Sequence, residues 1–267
     1  TEEKAIIGAW SIFAREEDAV SIEEGVTAYG GNAIFEKGCE LISEGASIQG
    51  MNRLYTGTGM AENREKKLLK AVKAAKEADK VVLCIGEHMA QTGEAASRGD
   101  ITIPENQITL LEKIAEVNQN IVVVLFSGRP LDLRKVKTLA KAILVVWMPG
   151  TEGGSAIAEV LYGETPPSGK LPMSFPYAVG QVPVFYSEFH TGRRMDPAHP
   201  ENRFQSRYMD IPNTPLYPFG FGLSYTEFDI SDVEVRMGQD KRVHVHCNVS
   251  NTGNVAGAEV VQCYYET

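Results

Sequence analysis

Apolar residues come in blocks along this chain, and the spacing within each block changes with position. Leu68, Leu69, Val72 and Ala75 recur at three- and four-residue steps, which predicts an amphipathic helix over 62–78. Residues 81–85 form a short apolar run and predict a strand. Pro104 then opens a second helix, where its missing N–H costs nothing, with Ile108, Leu111, Ile114 and Ala115 on its buried face. Residues 121–126 are continuously apolar and rich in valine, the pattern of a parallel strand buried on both faces. A helix over 131–139, a strand over 142–147 and a helix over 152–162 complete the alternation. Strands and helices exchanging through short links predict an α/β fold: a doubly wound, mostly parallel sheet flanked by helices.

The flanking stretches read differently. Ser21, with Glu24 three residues on, is a capping signal for a helix over 21–29. A short strand over 33–36 follows, and the Gly-, Thr- and Asn-rich stretch 45–63 reads as loop. The chain opens on I-I-G-A-W with no strand before it, so a first strand of the sheet is expected to be missing. Past Gly163, Pro166, Pro167, Pro172, Pro176 and Pro183 exclude helix and predict an extended wrap, rich in Phe and Tyr, as far as Tyr225. From Phe228 apolar and polar residues alternate through Val233, Val235, Val243, Val245, Cys247 and Val249, and a last strand is expected over 260–265. That is the opening of a β-sandwich with too few strands to close.

Composition narrows the partners. A net charge of -9 over 267 residues argues against nucleic acid and anionic membranes, both of which select basic surface. No apolar run approaches the roughly 18–20 residues that span a bilayer. Of the four cysteines, Cys39 and Cys84 sit in or beside apolar runs and read as packed small hydrophobes. Whether Cys247 and Cys263 pair is left open by the spacing.

The candidate chemistry gathers where the strand at 81–85 empties into the polar loop 89–100. Open α/β sheets place their sites at the carboxyl ends of strands. Glu87, His88, Glu94, Arg98 and Asp100 all lie there, and Ser127-Gly128-Arg129 leaves the next strand at the same edge. Arg98 and Asp100 are placed to form an ion pair that fixes the loop. Arg129 suits an interface or a sugar contact. Trp147, ending the third strand, reads as core. The glycines at 150–154 lack the order of a phosphate-binding loop. His244 and His246 share one strand face without a third ligand, so no metal is expected.

Six motifs then appear in a fixed order: I-G-A-W-S, G-E-x-x-x-x-x-G-E-A-A-S-R-G-D-I-T-I-P, F-S-G-R-P-L, W-M-P-G-T-E-G-G, P-S-G-K-L-P-M-S-F-P and L-Y-P-F-G-F-G-L-S-Y. In this order the chain resembles the C-terminal half of glycoside hydrolase family 3 β-glucosidases, the bacterial periplasmic type above all. The resemblance implies an α/β-sandwich domain over 1–226 and the start of a fibronectin type III-like domain over 227–267. It also implies a TIM-like barrel ahead of this chain, carrying the nucleophilic Asp, and a periplasmic or secreted location. Retaining glycosidases use two carboxyl groups about 5–5.5 Å apart, of which this chain would supply only the acid/base. The resemblance places that residue within the loop 89–100 or beside it, with Glu94 the first choice and Glu87 the runner-up. His88, Arg98 and Arg129 are candidate substrate contacts, and no cofactor is expected. On this resemblance the whole protein is an exo-acting β-glucosidase acting through a covalent glycosyl-enzyme, and the chain by itself is inactive. Two other readings stay open, a non-catalytic carbohydrate-binding or scaffolding domain and a nucleotide- or flavin-binding domain.

Overall fold

The first α-helix among the described residues begins where the capping signal predicts it. In the computed structural model, which describes residues 6–8, 10–11, 13–43, 45–49, 54–57, 61–189 and 192–265, helix α1 spans Ile22–Tyr29. Ser21 Oγ accepts from Glu24 N at 3.1 Å, and the Glu24 carboxylate accepts from Ser21 N at 2.7 Å. The bond from the Ser21 backbone, above all, holds the Glu24 carboxyl below its ordinary range. The run at 33–36, expected as strand, forms none, and Ile34 is exposed. Among the described residues no strand lies beside this short apolar run to complete its hydrogen bonds. Conversely, the expected loop over 45–63 contains a small hairpin, β1 (Ser47–Gln49) antiparallel to β2 (Leu54–Thr56). Residues 50–53 and 58–60 of that stretch lie outside the described residues, as does Ala9 of the opening motif.

The predicted alternation follows: α2 (Ala61–Glu77), β3 (Val81–Gly86), α3 (Glu105–Ala115), β4 (Ile121–Phe126), α4 (Arg134–Leu139), β5 (Ala142–Val145) and α5 (Gly153–Tyr162). Strands β3, β4 and β5 form one parallel sheet in that order, with Val81 opposite Ile121 and Val122 opposite Ala142. The middle strand is the valine-rich run, and its Ile121, Val123, Val124 and Leu125 are fully buried. Ala71 and Ala75 of α2, Leu110, Leu111 and Ile114 of α3, and Val136 of α4 are buried with them. Truncating a fully buried leucine such as Leu111 to alanine costs about 2–5 kcal/mol. Helix α3 is turned slightly from its expected setting. Gln107 and Leu110 lie innermost with Leu111 and Ile114, while Ile108 and Ala115 are only half-buried.

The last two glycines of W-M-P-G-T-E-G-G serve packing. Val20 N donates to Thr151 O at 2.8 Å and Gly154 N to Val20 O at 3.1 Å, so the start of α5 lies directly against the entry to α1. A Cβ on Gly154 would stand 2.1 Å from Ser21 O, and one on Gly25 would stand 2.2 Å from Gly154 O. Two backbones in contact leave no room for any side chain.

The chain divides into two compact units, Thr1–Ala158 with Met173–Pro218, and Glu159–Pro172 with Phe219–Thr267. In the first, the fully buried Phe175 bonds through its backbone to Tyr217 and packs its ring against Trp147, centroids 5.8 Å apart. In the second, β6 (Phe228–Met237) pairs antiparallel with β7 (Val243–Asn251), with a bulge between Ser231 and Glu234. Lys170 Nζ lies 2.9 Å from both Gly222 O and the Glu259 carboxylate, tying the returning segments together. The last expected strand, over 260–265, is not formed, because no neighbouring strand among the described residues pairs with it. All four cysteines are free.

Candidate active site

The site begins at Gly86, the last residue of β3. Its φ is +142°, and a Cβ there would stand 1.8 Å from Phe126 O, so only glycine lets the chain leave the sheet at this angle. Glu87 N donates to Phe126 O at 2.8 Å. From the other side, the buried Gln107 of α3 bonds both peptide groups of Gly86 and reaches Leu41 O as well.

Glu87 points inward and is 2% exposed. Arg98 Nη1 donates to its Oε1 at 2.7 Å and Gly128 N donates to its Oε2 at 3.1 Å. Arg129 Nε lies 3.0 Å from Oε1 but off the N–H axis, so that contact is an ion pair without an aligned hydrogen bond. A buried carboxylate between two guanidiniums is the arrangement in which a charge can leave water at all. Both of its oxygens are engaged within the protein.

His88, 3% exposed, caps the 3₁₀ turn Met89–Gln91. Its Nδ1 accepts from Ala90 N at 3.1 Å, and the Gln91 side chain accepts from His88 N at 2.8 Å. An accepting Nδ1 assigns the proton to Nε2. Tyr55 of β2 packs on the imidazole with centroids 4.5 Å apart.

The expected Arg98–Asp100 pair does not form. Arg98 turns back to Glu87 and to Thr102 O at 3.0 Å, and Asp100 accepts from Thr102 N at 2.8 Å. That backbone bond holds the Asp100 carboxyl below its ordinary range. Glu87, eleven residues upstream, is a buried carboxylate that needs aligned donors, whereas the exposed Asp100 is solvated, so Arg98 goes to Glu87.

Glu94 is placed quite differently. It occupies the corner of a tight turn closed by Ala96 N donating to Gly93 O at 3.3 Å. Its neighbours Gly93 and Ala95 both have left-handed backbone, φ +97° and +58°. Its side chain is exposed, and among the described residues it makes no hydrogen bond or ion pair. The loop is anchored on both sides of it: Thr92 Oγ1 donates to Met89 O at 3.1 Å, and Arg129 Nη2 donates to Gln91 O and, at 2.8 Å, to Ala96 O. One carboxyl is therefore sequestered beneath the loop and one is presented at its tip.

The Glycosyl hydrolase family 3 C-terminal domain model matches residues 1–225. The chain belongs to that family. Over 272 aligned residues it is 41% identical to the "Periplasmic beta-glucosidase" of Salmonella typhimurium, an alignment covering 99% of this chain and 35% of that enzyme. A "Beta-xylosidase" of Formosa agariphila is 40% identical over 197 residues, 73% of this chain and 26% of its own length. The crystal structure of a beta-glucosidase from Listeria innocua in complex with gluconolactone superposes with a TM-score of 0.79 and 33% identity, over 95% of this chain and 33% of that one. This chain thus spans about a quarter to a third of the length of these relatives.

Within this family 3 domain, Glu87, His88, Arg98, Arg129 and Glu94 all fall in or directly beneath one loop at the carboxyl ends of β3 and β4. Gln107, Gln91, Tyr55 and the Gly128 N–H complete the support; of these only Gly128 lies at a defined motif position, in F-S-G-R-P-L. Gln107 did leave a trace, as a polar residue on an otherwise apolar helix face. Among the described residues no helix is long and apolar enough to cross a membrane.

Proposed function

We propose that the whole protein is an exo-acting retaining β-glucosidase, periplasmic or secreted, in which Glu94 is the general acid/base. The observation that carries this assignment is the contrast between the two carboxyl groups: Glu87 is enclosed by Arg98, Arg129 and Gly128, while Glu94 stands exposed at the corner of its turn. The nucleophilic carboxylate comes from a barrel domain outside this chain, and residues 227–267 open a fibronectin-like sandwich. With a glucoside held on the barrel, Glu94 gives its proton to the departing oxygen as the nucleophile bonds to the anomeric carbon. It then takes a proton from water as that water releases the glycosyl-enzyme. Closure of the barrel over the tip excludes bulk water from around Glu94, the setting in which a positioned general acid acts on the departing oxygen. His88, Arg98 and Arg129 are engaged within the protein, which favours support of the loop over contact with the sugar.

The glucose preference is supported by the relative aligned over 99% of this chain and by the gluconolactone complex. The test compares the chain with the complete gene product on aryl β-glucosides and β-xylosides. Turnover of the glucoside by the complete protein alone is expected. Turnover by the isolated chain would overturn the two-domain mechanism, and sugar binding without turnover by the complete protein would establish a non-catalytic carbohydrate-binding role.

A further inference from the structure

We infer that Arg129 is a positioning residue that sets where Glu94 stands, an inference that rests on the acid/base assignment above. The two carbonyls that Arg129 Nη2 grips belong to Gln91 and Ala96. They lie three residues before and two residues after Glu94, so one guanidinium nitrogen ties together the neck of the turn whose corner is the acid/base.

The guanidinium is itself immobilised. Its Nε face rests 3.0 Å from Glu87 Oε1. Glu87 is locked by Arg98 and by the Gly128 N–H. Arg129 follows directly on Gly128, where the loop packs so closely that a Cβ would stand 2.6 Å from Thr92 Cβ. The sheet edge therefore fixes Arg129, and Arg129 fixes the loop. Nothing else described spans the neck: inside it runs the single 3.3 Å bond from Ala96 N to Gly93 O. A planar fork with several donors can meet an anion and two carbonyls at once, whereas an ammonium on a flexible stem cannot hold that geometry.

General acids act over tenths of an ångström, and a misplacement of about 1 Å costs on the order of 100-fold. Loosening the neck should impair proton delivery to the leaving group while leaving the sugar-binding part of the reaction intact. The readout is kcat/KM of the complete enzyme for a series of aryl β-glucosides spanning leaving-group pKa. A phenol of low pKa departs without a proton; one of high pKa depends on it.

Arg129→Met is expected to lose roughly 10–100-fold on the poorest leaving groups and less than about threefold on the best, which steepens the Brønsted plot. Arg129→Lys is expected to steepen it less, and it supplies the same readout if Arg129→Met does not fold. Glu94→Gln, measured alongside, must steepen it most. A shallow Glu94→Gln plot means that the acid/base assignment itself has failed. A steep Glu94→Gln plot beside a shallow one for the Arg129 variants, or an equal loss across all leaving groups, overturns the positioning role alone.

Discussion

Gln107 and Gly86 face each other as two peptide groups would. The side-chain carbonyl of Gln107 accepts from Gly86 N at 2.7 Å, and its amide donates to Gly86 O at 3.0 Å. One buried side chain thus supplies, at the edge of β3 where no described strand pairs, both hydrogen bonds that a neighbouring strand would make. It does so at the residue where the chain leaves the sheet for the loop bearing Glu94.

Replacing Gln107 by leucine keeps the volume but strands the Gly86 peptide groups and Leu41 O. Each buried polar group left unpaired costs about 1–3 kcal/mol, so a loss of at least about 2 kcal/mol is expected in urea denaturation. Gln107→Glu adds a sign. Its carboxylate would face Gly86 O and Leu41 O, so the folded state favours the protonated acid and raises its pKa above the unfolded value. The stability of this variant relative to the parent is therefore greatest below about pH 4 and falls as pH rises through the folded-state pKa. A pH-independent difference between the two would contradict the geometry.

Glu87 and Glu94 separate by their effect on stability. Glu87→Gln leaves two largely buried guanidiniums without their counter-charge, and removing one partner of such a cluster costs about 3–5 kcal/mol. Glu94 touches nothing that holds the fold, so Glu94→Ala is expected within about 0.5 kcal/mol of the parent. Urea midpoints of the two variants check this directly, and equal midpoints would contradict the assigned environments.

Gly86 admits no side chain. In Gly86→Ala the methyl group would meet the Phe126 carbonyl at 1.8 Å, a backbone contact that no rotamer relieves. The unfavourable backbone alone costs about 1–3 kcal/mol, and loss of the folded protein at ordinary growth temperature is expected. A Gly86→Ala chain with an unchanged melting temperature would show that β3 ends differently.

The thiols report on the sheet. Burial pushes the Cys84 thiol on β3 up to about 11, and the Cys39 thiol also to about 11. Against an ordinary cysteine of pKa about 8.5, the thiolate fraction at pH 8 is lower by a factor on the order of 100. Iodoacetamide at pH 8 should therefore modify the exposed Cys263 first. Cys39 and Cys84 should gain about tenfold in rate per pH unit up to their pKa. Mass mapping of the labelled peptides decides it.

How much of this was legible in the sequence depends on how local the cause is. The central strand and the helices around it follow from residue periodicity, and the α1 cap from two residues three apart. The β1–β2 hairpin did not, because its strands are three residues each in a Gly- and Thr-rich stretch. The run at 33–36 and the one at 260–265 have strand-like composition but no strand beside them among the described residues. In the site, the loop and its charged residues were visible. Their pairing was not: Arg98 and Asp100 are close in sequence, yet burial of Glu87 decided where Arg98 went. Gln107 stands out as a polar residue on an apolar helix face, but what it bonds could not be read, since its partners are 21 and 66 residues away.

The most direct test is hydrolysis of an aryl β-glucoside by the complete enzyme carrying Glu94→Ala, with and without azide. Activity should fall on the order of 100- to 10,000-fold, the usual share of a general acid/base. With an activated leaving group, azide should restore turnover and yield the β-glucosyl azide, because a small anion can attack the glycosyl-enzyme without a base. Full activity in Glu94→Ala, or a deep loss that azide leaves untouched, would contradict Glu94 as the acid/base.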